Sequence, residues 1–334
     1  MKIDNKPTEE MIELSRRAGS PDQNIAIAAQ REIVTAMTGP LREGVLDGDI
    51  SGGIFEDVDF LPGQAVEFPL DMISPGSERN LVAFTIPIHG RIPEQHFSGD
   101  YVAVPTFETG ASADTNLKYI RDARWDVWAR LNAALEAMFV RRKNLDAWHT
   151  LLAALVTRNL VAYDDMATAG LFTKRSIANA ETYMARGAGG NTTSQNRGVL
   201  TDVFMSLESK QDVLSWDLTQ IPEAVRQNIF ANWGNGGIAK IGNVVLHDLV
   251  ELGVSQEFQN YAINTLGLTL PTDKTELAVG LDLRNKDAFV HPIRERVQIF
   301  EDPAFHRQRR IGLYGWEEGG WSVLDSRRVM GIAI

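Results

Sequence analysis

The sequence predicts an α+β chain made of a polar arm, an extended β-hairpin, a long helix, an α/β region and strands that return to the last residue. Three observations predict it. Two β-rich runs, LVAFTIPI (Leu81–Ile88) and YVAVPTFE (Tyr101–Glu108), stand close together. Apolar residues then recur at three- and four-residue spacing from Leu117 to Met138, the period of a helix with one buried face. The closing stretch GLYGWEEGGWSVLDSRRVMGIAI is aromatic and branched, which suits strands of a folded body.

Residues 1–57 read as the arm. Helices are expected over Glu9–Ala18 and Asn24–Thr38, with joints at Ser20-Pro21, Gly39-Pro40, Gly44, Gly48 and Gly52-Gly53. Pro87 and Pro105 lack the amide proton of a ladder, so the runs that hold them suit strands with one unpaired edge. Two strands alone are marginal in water, so this hairpin is expected to lean on another surface, such as a second copy of the chain.

Asp114 or Thr115 can cap the next helix, expected over Asn116–Arg142. Its apolar face is Leu117, Ile120, Val127, Trp128, Leu131, Leu135 and Met138, and a second amphipathic stretch covers Leu145–Val156. Further on, LTDVFM (Leu200–Met205) reads as a strand, with Ser206 capping a helix over Leu207–Leu214. Val244–Leu252 and Gln256–Leu266 fit either helix or strand. From Glu276 the chain is mostly β: ELAVGLDL, AFVHPIRERVQIF and the closing segment. There Gly319-Gly320 suits a two-residue hairpin turn and Asp325–Arg328 a further turn into VMGIAI.

The chain has 334 residues, 44% hydrophobic and 23% charged, enough to bury a substantial core. It has no cysteine, which removes disulfides, thiolate metal sites and cysteine nucleophiles and suits a reducing compartment. The start MKIDNKPTEEMIEL has no apolar signal core, and Leu151–Val156 is far too short to cross a bilayer. A soluble protein made in the cytoplasm is the expectation. A net charge of −11 argues against a dedicated nucleic-acid binder.

Signatures of chemistry are weak throughout. Ala185–Gly198 is glycine-rich but lacks the lysine and preceding strand of a phosphate loop, and Trp233–Gly242 lacks the G-x-G-x-x-G register. His89, His96, His149, His247, His291 and His306 form no metal-binding pair at helical spacing. FEDVDF (Phe55–Phe60) has carboxylates suited to a hard cation but no accompanying loop of ligands, so a turn or interface is expected. HRQRR (His306–Arg310) is the densest basic cluster, for which salt bridges to acidic neighbours are expected over a phosphate site. No catalytic, cofactor or metal residues are assigned.

The order of these elements resembles the major capsid protein of tailed bacteriophages, the Hong Kong 97-type fold, over nearly the whole chain. Val58–Ala113 followed by Asn116–Arg142 is similar to that family's E-loop and spine helix, and LTDVFMSLES (Leu200–Ser209) is similar to a strand and capped helix of its A-domain. DAFVHPIRERVQIF and RRIGLYGWEEGGWSVLDSRRVMGIAI resemble its closing strands. The resemblance implies an N-terminal arm at 1–57, E-loop at 58–113, P-domain spine region at 114–162, A-domain at 163–270 and returning A/P-domain strands with P-loop at 271–334.

It further implies a non-enzymatic protein without cofactors, assembling with itself into pentamers and hexamers of an icosahedral virion shell. Expected partners are a scaffolding protein, a portal and a decoration protein. The shell would enclose double-stranded DNA without reading its sequence, and no membrane is involved. About 50 residues before the β-region are too few for a built-in scaffold, so a separate one is expected. Gln64–Ser112 has no lysine, so the lysine cross-link of one branch is not expected there. Gly39, Gly44 and Gly110 are expected joints between ring positions. Structural or interface candidates are Leu117, Ile120, Trp128, Leu131 and Leu135 on the helix, Arg91 and His96 on the hairpin, and Arg309, Arg310, Trp316 and Trp321 near the end. The alternatives are a bacterial encapsulin-type compartment shell and a cytoplasmic α/β enzyme.

Overall fold

The computed structural model describes residues 9–47, 50–61, 63–69, 101–121, 126–187, 198–216, 221–233, 239–271, 273–284 and 286–334. Its elements run α1 (Glu9–Ala18), α2 (Gln23–Asp47), β1 (Glu56–Asp59), β2 (Glu67–Pro69), β3 (Tyr101–Ala103), β4 (Phe107–Asn116), α3 (Leu117–Arg121) and α4 (Asp126–Arg158). Next come β5 (Val161–Tyr163), α5 (Lys174–Gly187), β6 (Asp202–Met205), α6 (Leu207–Ser215), α7 (Glu223–Trp233), β7 (Ala239–Ile241), β8 (Val244–Asp248) and α8 (Glu257–Asn260). The last are β9 (Leu277–Leu281), β10 (Phe289–Asp302), β11 (Arg310–Gly319), β12 (Ser322–Val323) and β13 (Val329–Ala333). They divide into two compact units, the first made of residues up to Val66, Val104–Ala147 and His291–Trp321, the second of the remainder.

In the first unit an antiparallel sheet of order β1-β10-β11-β4 carries its helices on one face. Strands β11 and β4 pair without a register break from Arg310↔Asn116 to Gly319↔Phe107. Alternation along β11 buries Ile311 and Leu313 against Val34, Leu41, Trp128, Leu135 and Phe139 of α2 and α4. The N-terminal segment is therefore no free arm. Helix α2 runs to Asp47 through Gly39 and Pro40, which were expected to be joints. Proline removes one helical hydrogen bond. Leu41 and Val45, buried just beyond it, supply apolar contact that holds the next turns in place. Gly44 is likewise helical, and a Cβ there would displace the Glu136 carboxylate of α4.

Two local expectations change in this unit. Asp114 and Thr115 lie in β4, opposite Gly312 and Ile311, and it is the Asn116 side chain that accepts the Lys118 amide (2.9 Å) at the start of α3. The long helix does not stop at Arg142, since α4 continues unbroken to Arg158, roughly 50 Å at 1.5 Å per residue. Its apolar face passes through Phe139, fully buried, and leaves Met138 46% exposed. Residues 122–125, between α3 and α4, lie outside the described residues.

The second unit holds a mixed sheet of order β5-β13-β9-β6-β8-β7, with β5, β13, β6 and β8 running the same way. All residues of β9 (LAVGL) and β13 (VMGIA) are buried. Met330 and Ile332 pack with Met184, Val213 and Ile229 of α5–α7 on one face. On the other, a Cβ at Gly331 would lie 3.5 Å from Leu155 of α4, and Trp148 meets Phe204 edge-on and stacks on Phe258. Strands covered on both faces read as unbroken apolar runs. The expected Ser206 cap is present, its hydroxyl accepting the Ser209 amide at 3.0 Å. Val244–Leu252 gives strand β8, and Gln256–Leu266 gives α8 continued as one π-helical turn, Tyr261–Thr265.

The Gly319-Gly320 pair is not a hairpin turn. Strands β11 and β12 both pair with β10, Gly319 opposite Ile293 and Ser322 opposite Val290, so the chain continues in one direction. Neither glycine has positive φ. Glycine is needed because a Cβ at Gly320 would collide with the Pro105 carbonyl. The turn expected over Asp325–Arg328 is there, with the Asp325 carboxylate accepting the Arg327 amide (3.0 Å) ahead of β13.

Candidate assembly surfaces

The expected helix candidates belong to the core. Ile120, Trp128, Leu131 and Leu135 are 1%, 2%, 7% and 0% exposed, so these four are not available to a partner, and Leu117 is half-buried against them. Arg91 and His96, with LVAFTIPI, lie outside the described residues.

The basic segment divides by backbone conformation. Arg309 takes a left-handed φ of 56°, and its carbonyl accepts the Leu117 amide at 2.9 Å, locking the entry to α3. Arg310 pairs across the sheet with Asp114 at 2.6 Å, as the salt-bridge expectation required.

Trp316 and Trp321 separate cleanly. Trp321 is half-buried and engaged within the first unit: its ring lies parallel to His291 at 3.7 Å and meets Phe55 edge-on at 4.9 Å. Trp316 is 45% exposed. Its direction follows from its neighbours on β11. Gly315 faces inward because a Cβ there would press on Gln298 backbone and the Phe139 ring. Glu317 faces inward to a mostly buried ion pair with Lys143 of α4 at 3.0 Å. The period-two alternation then sends Tyr314 and Trp316 outward together.

Phe300 of β10 completes this face, with its ring 5.5 Å from both Tyr314 and Trp316. Opposite these aromatics on β4 stand Ser112 and Gly110, which are too small to cover them. The Y-G-W alternation was the available sequence signal for Tyr314, whereas Phe300 joins only through the β10–β11 register.

Several of the polar groups singled out by the sequence sit in internal pairs. FEDVDF is the edge strand β1, not a turn, and its carboxylates meet β10: Asp57 lies 2.8 Å from His291, and Asp59 is 2.9 Å from Arg296. The hydrogen bond from His291, helped by the charge of Arg296, holds the Asp57 carboxyl below its usual range against the effect of burial. In the second unit His247 pairs with Asp202 at 2.8 Å and stacks on Phe204, while His149 stacks on Tyr261 at 3.6 Å. Glu276 is buried and accepts the hydroxyls of Ser206 (2.8 Å) and Ser209 (3.2 Å). Burial pushes its carboxyl up, despite those hydroxyls and helped by Glu208 and Asp212. Among the described residues no group of three or more His, Asp or Glu side chains is placed to hold a metal ion.

This geometry has known counterparts. No family model and no curated protein matches the sequence. Solved structures do match. One from Microbacterium phage Oxtober96 is 12% identical, covering 85% of this chain and 90% of its own, with a TM-score of 0.56. The cyanophage Pam1 capsid asymmetric unit is 12% identical over 84% and 88%, with a TM-score of 0.54. The capsid of an empty GTA particle is 14% identical over 86% and 90%, with a TM-score of 0.53. The chain has the fold of phage capsid proteins, the Hong Kong 97-type fold.

Proposed function

We propose that this chain is a major capsid protein, a structural subunit that assembles with itself into pentamers and hexamers of an icosahedral shell enclosing double-stranded DNA. The observation that carries this reading is the fold likeness over 84–86% of the chain to solved structures that include two phage or GTA capsids. Two physical features support it. The Phe300–Tyr314–Trp316 face presents large aromatic area of the kind enriched in protein interfaces. The net charge of −11 suits a wall that encloses DNA without gripping it. In this role the protein is a virion component with no catalytic duty, and its partners are further copies of itself, a scaffolding protein, a portal and a decoration protein.

The direct test is electron microscopy of the purified chain, alone and with its scaffold supplied. Rings or closed shells are expected. Particles of monomer size under every assembly condition would overturn the reading.

A further inference from the structure

Exposed apolar residues of the second unit collect at one end of its sheet. Strands β5, β13, β6 and β8 run one way and β9 the other, so four strand ends and the start of β9 share one edge. At about 4.8 Å between neighbours, the row from β5 to β8 is roughly 20 Å long. The loop after β5 carries Met166 and Leu171, α6 opens with Leu207, and the loop after β8 carries Val250 and Val254. Met166, 82% exposed, is the most exposed large apolar side chain among the described residues, and Val250 and Val254 are 61% and 51% exposed. The Leu249 amide donates to the Met205 carbonyl (2.9 Å), which sets Val250 beside the β6–α6 junction. A Cβ at Gly253 would lie 3.2 Å from Ser206 Cβ, so Val254 joins the same junction. Lys274 Nζ donates to the Ala167 carbonyl (3.0 Å), tying the Met166 loop to the segment that leads into β9.

These loops are held by their own bonds. The Leu171 amide donates to the Thr168 carbonyl (3.1 Å), Leu252 to Leu249 (3.2 Å) and Phe258 to Glu251 (3.1 Å). Ser255 and Asp273 keep left-handed φ angles of 64° and 70°, which cost a non-glycine residue energy. Backbone already fixed loses little freedom when a partner covers it. The polar groups between the apolar ones are acidic. Asp165, Glu208 and Asp273 are exposed and Glu251 is half-buried, and among the described residues none of the four forms an ion pair. Bases at this end are engaged, Arg175 with Asp164 (3.6 Å), Lys210 with Asp248 (2.9 Å) and Lys274 with the Ala167 carbonyl.

We infer that this end of the second unit's sheet is a docking surface for a basic amphipathic segment of a different protein, its apolar face on Met166, Leu207 and Val250. Single exposed apolar residues are ordinary, but a row of them rimmed by charge marks an interaction surface. Charge complementarity selects the occupant. A second copy, with 44 acidic against 33 basic residues, brings like charge to an acidic rim. Nucleic acid and anionic lipid surfaces are repelled for the same reason. A cationic segment gains from the rim, and a helix of about 14 residues matches the length of the row. The inference goes beyond the shell reading and stands whether or not the chain forms shells.

The test follows the fluorescence anisotropy of a labelled leucine–lysine amphipathic helix of about 14 residues as the full chain is added. A peptide with the same leucines and glutamate in place of lysine is the counterpart. The lysine peptide is expected to bind at least about tenfold more tightly than the glutamate peptide. V250S/V254S should weaken that binding about fivefold or more. D165N/D273N should weaken it about threefold at low salt, while E32Q/E43Q, the same charge change on exposed positions of α2, stays within about twofold. All three variants alter exposed side chains, and asparagine tolerates the left-handed backbone of Asp273, so their thermal midpoints should stay within a few degrees of wild type. The proposal is overturned if the lysine peptide does not bind, if the glutamate peptide binds equally, or if V250S/V254S keeps wild-type affinity. It is equally overturned if D165N/D273N loses no more than E32Q/E43Q. Loss of self-assembly in V250S/V254S with no peptide binding to the wild type would also sink it, by assigning the face to a second copy. Should V250S/V254S fail to fold, the D165N/D273N comparison with E32Q/E43Q decides.

Discussion

Strands β9 and β13 of the second unit's sheet are buried on both faces, whereas the sheet of the first is packed on one face and presents aromatic rings on the other. In the first case no residue of β9 or β13 is exposed, so every position answers to the core. In the second, β4 and β11 alternate, and the outward positions are free of the packing that fixes the inward ones. Large apolar side chains at such free positions add nothing to the subunit's own core. On the proposed shell reading, Tyr314 and Trp316 are positions a neighbouring copy would cover, whereas β13 serves the core of its own unit.

The largest effect that separates the two sheets is expected in β13. Ile332→Asp places an uncompensated charge between β5 and β9, and should destabilise the protein by more than about 4 kcal/mol. Chemical denaturation would show it as loss of cooperative folding; a folded variant with near-normal stability would mean that β13 is not the centre of that sheet.

A smaller effect, with a definite sign, belongs to Glu276. Burial raises its carboxyl above the ordinary value of 4.5, so the folded protein keeps a proton that the unfolded chain has already released. Its contribution to stability is complete below that ordinary value and is lost as pH rises through the folded one. Asp282 runs the other way, its contribution being present above the usual carboxylate range and lost in acid. Glu276→Gln leaves the Asp282 dependence intact, so wild type minus variant isolates the one group. The thermal midpoint of the variant should gain on wild type as pH rises above the ordinary value of 4.5, and a parallel pair of pH profiles would contradict the assignment.

Legibility in the sequence followed the range of the interactions involved. Ser206, β9 and β13 were readable because a helix cap and a doubly buried strand leave local marks, a short hydroxyl residue and an unbroken apolar run. Helix α4 was read too short because Arg141–Asn144 interrupts its apolar stripe, although Lys143 there is satisfied by Glu317, 174 positions along the chain and invisible to periodicity. Gly39-Pro40 read as a joint because backbone preference points that way, and burial of Leu41 and Val45 overrides it. Gly319-Gly320 was misread since glycine serves both positive φ and close backbone approach, and only the position of Pro105 distinguishes them. The surface aromatics were half legible. Alternation marks Tyr314 and Trp316, but nothing local tells the exposed Trp316 from Trp321, whose ring is taken up by His291.

The most direct test of the contrast between the two sheets is sedimentation velocity on the paired substitution Tyr314→Ser and Trp316→Ser under conditions in which the wild type forms particles. These half-exposed positions contribute little to the fold, so the thermal midpoint should stay within a few degrees of wild type. The expected result is a folded subunit that sediments as a small species while the wild type sediments as rings or shells. Particles formed by the variant at the wild-type yield and sedimentation rate would contradict it.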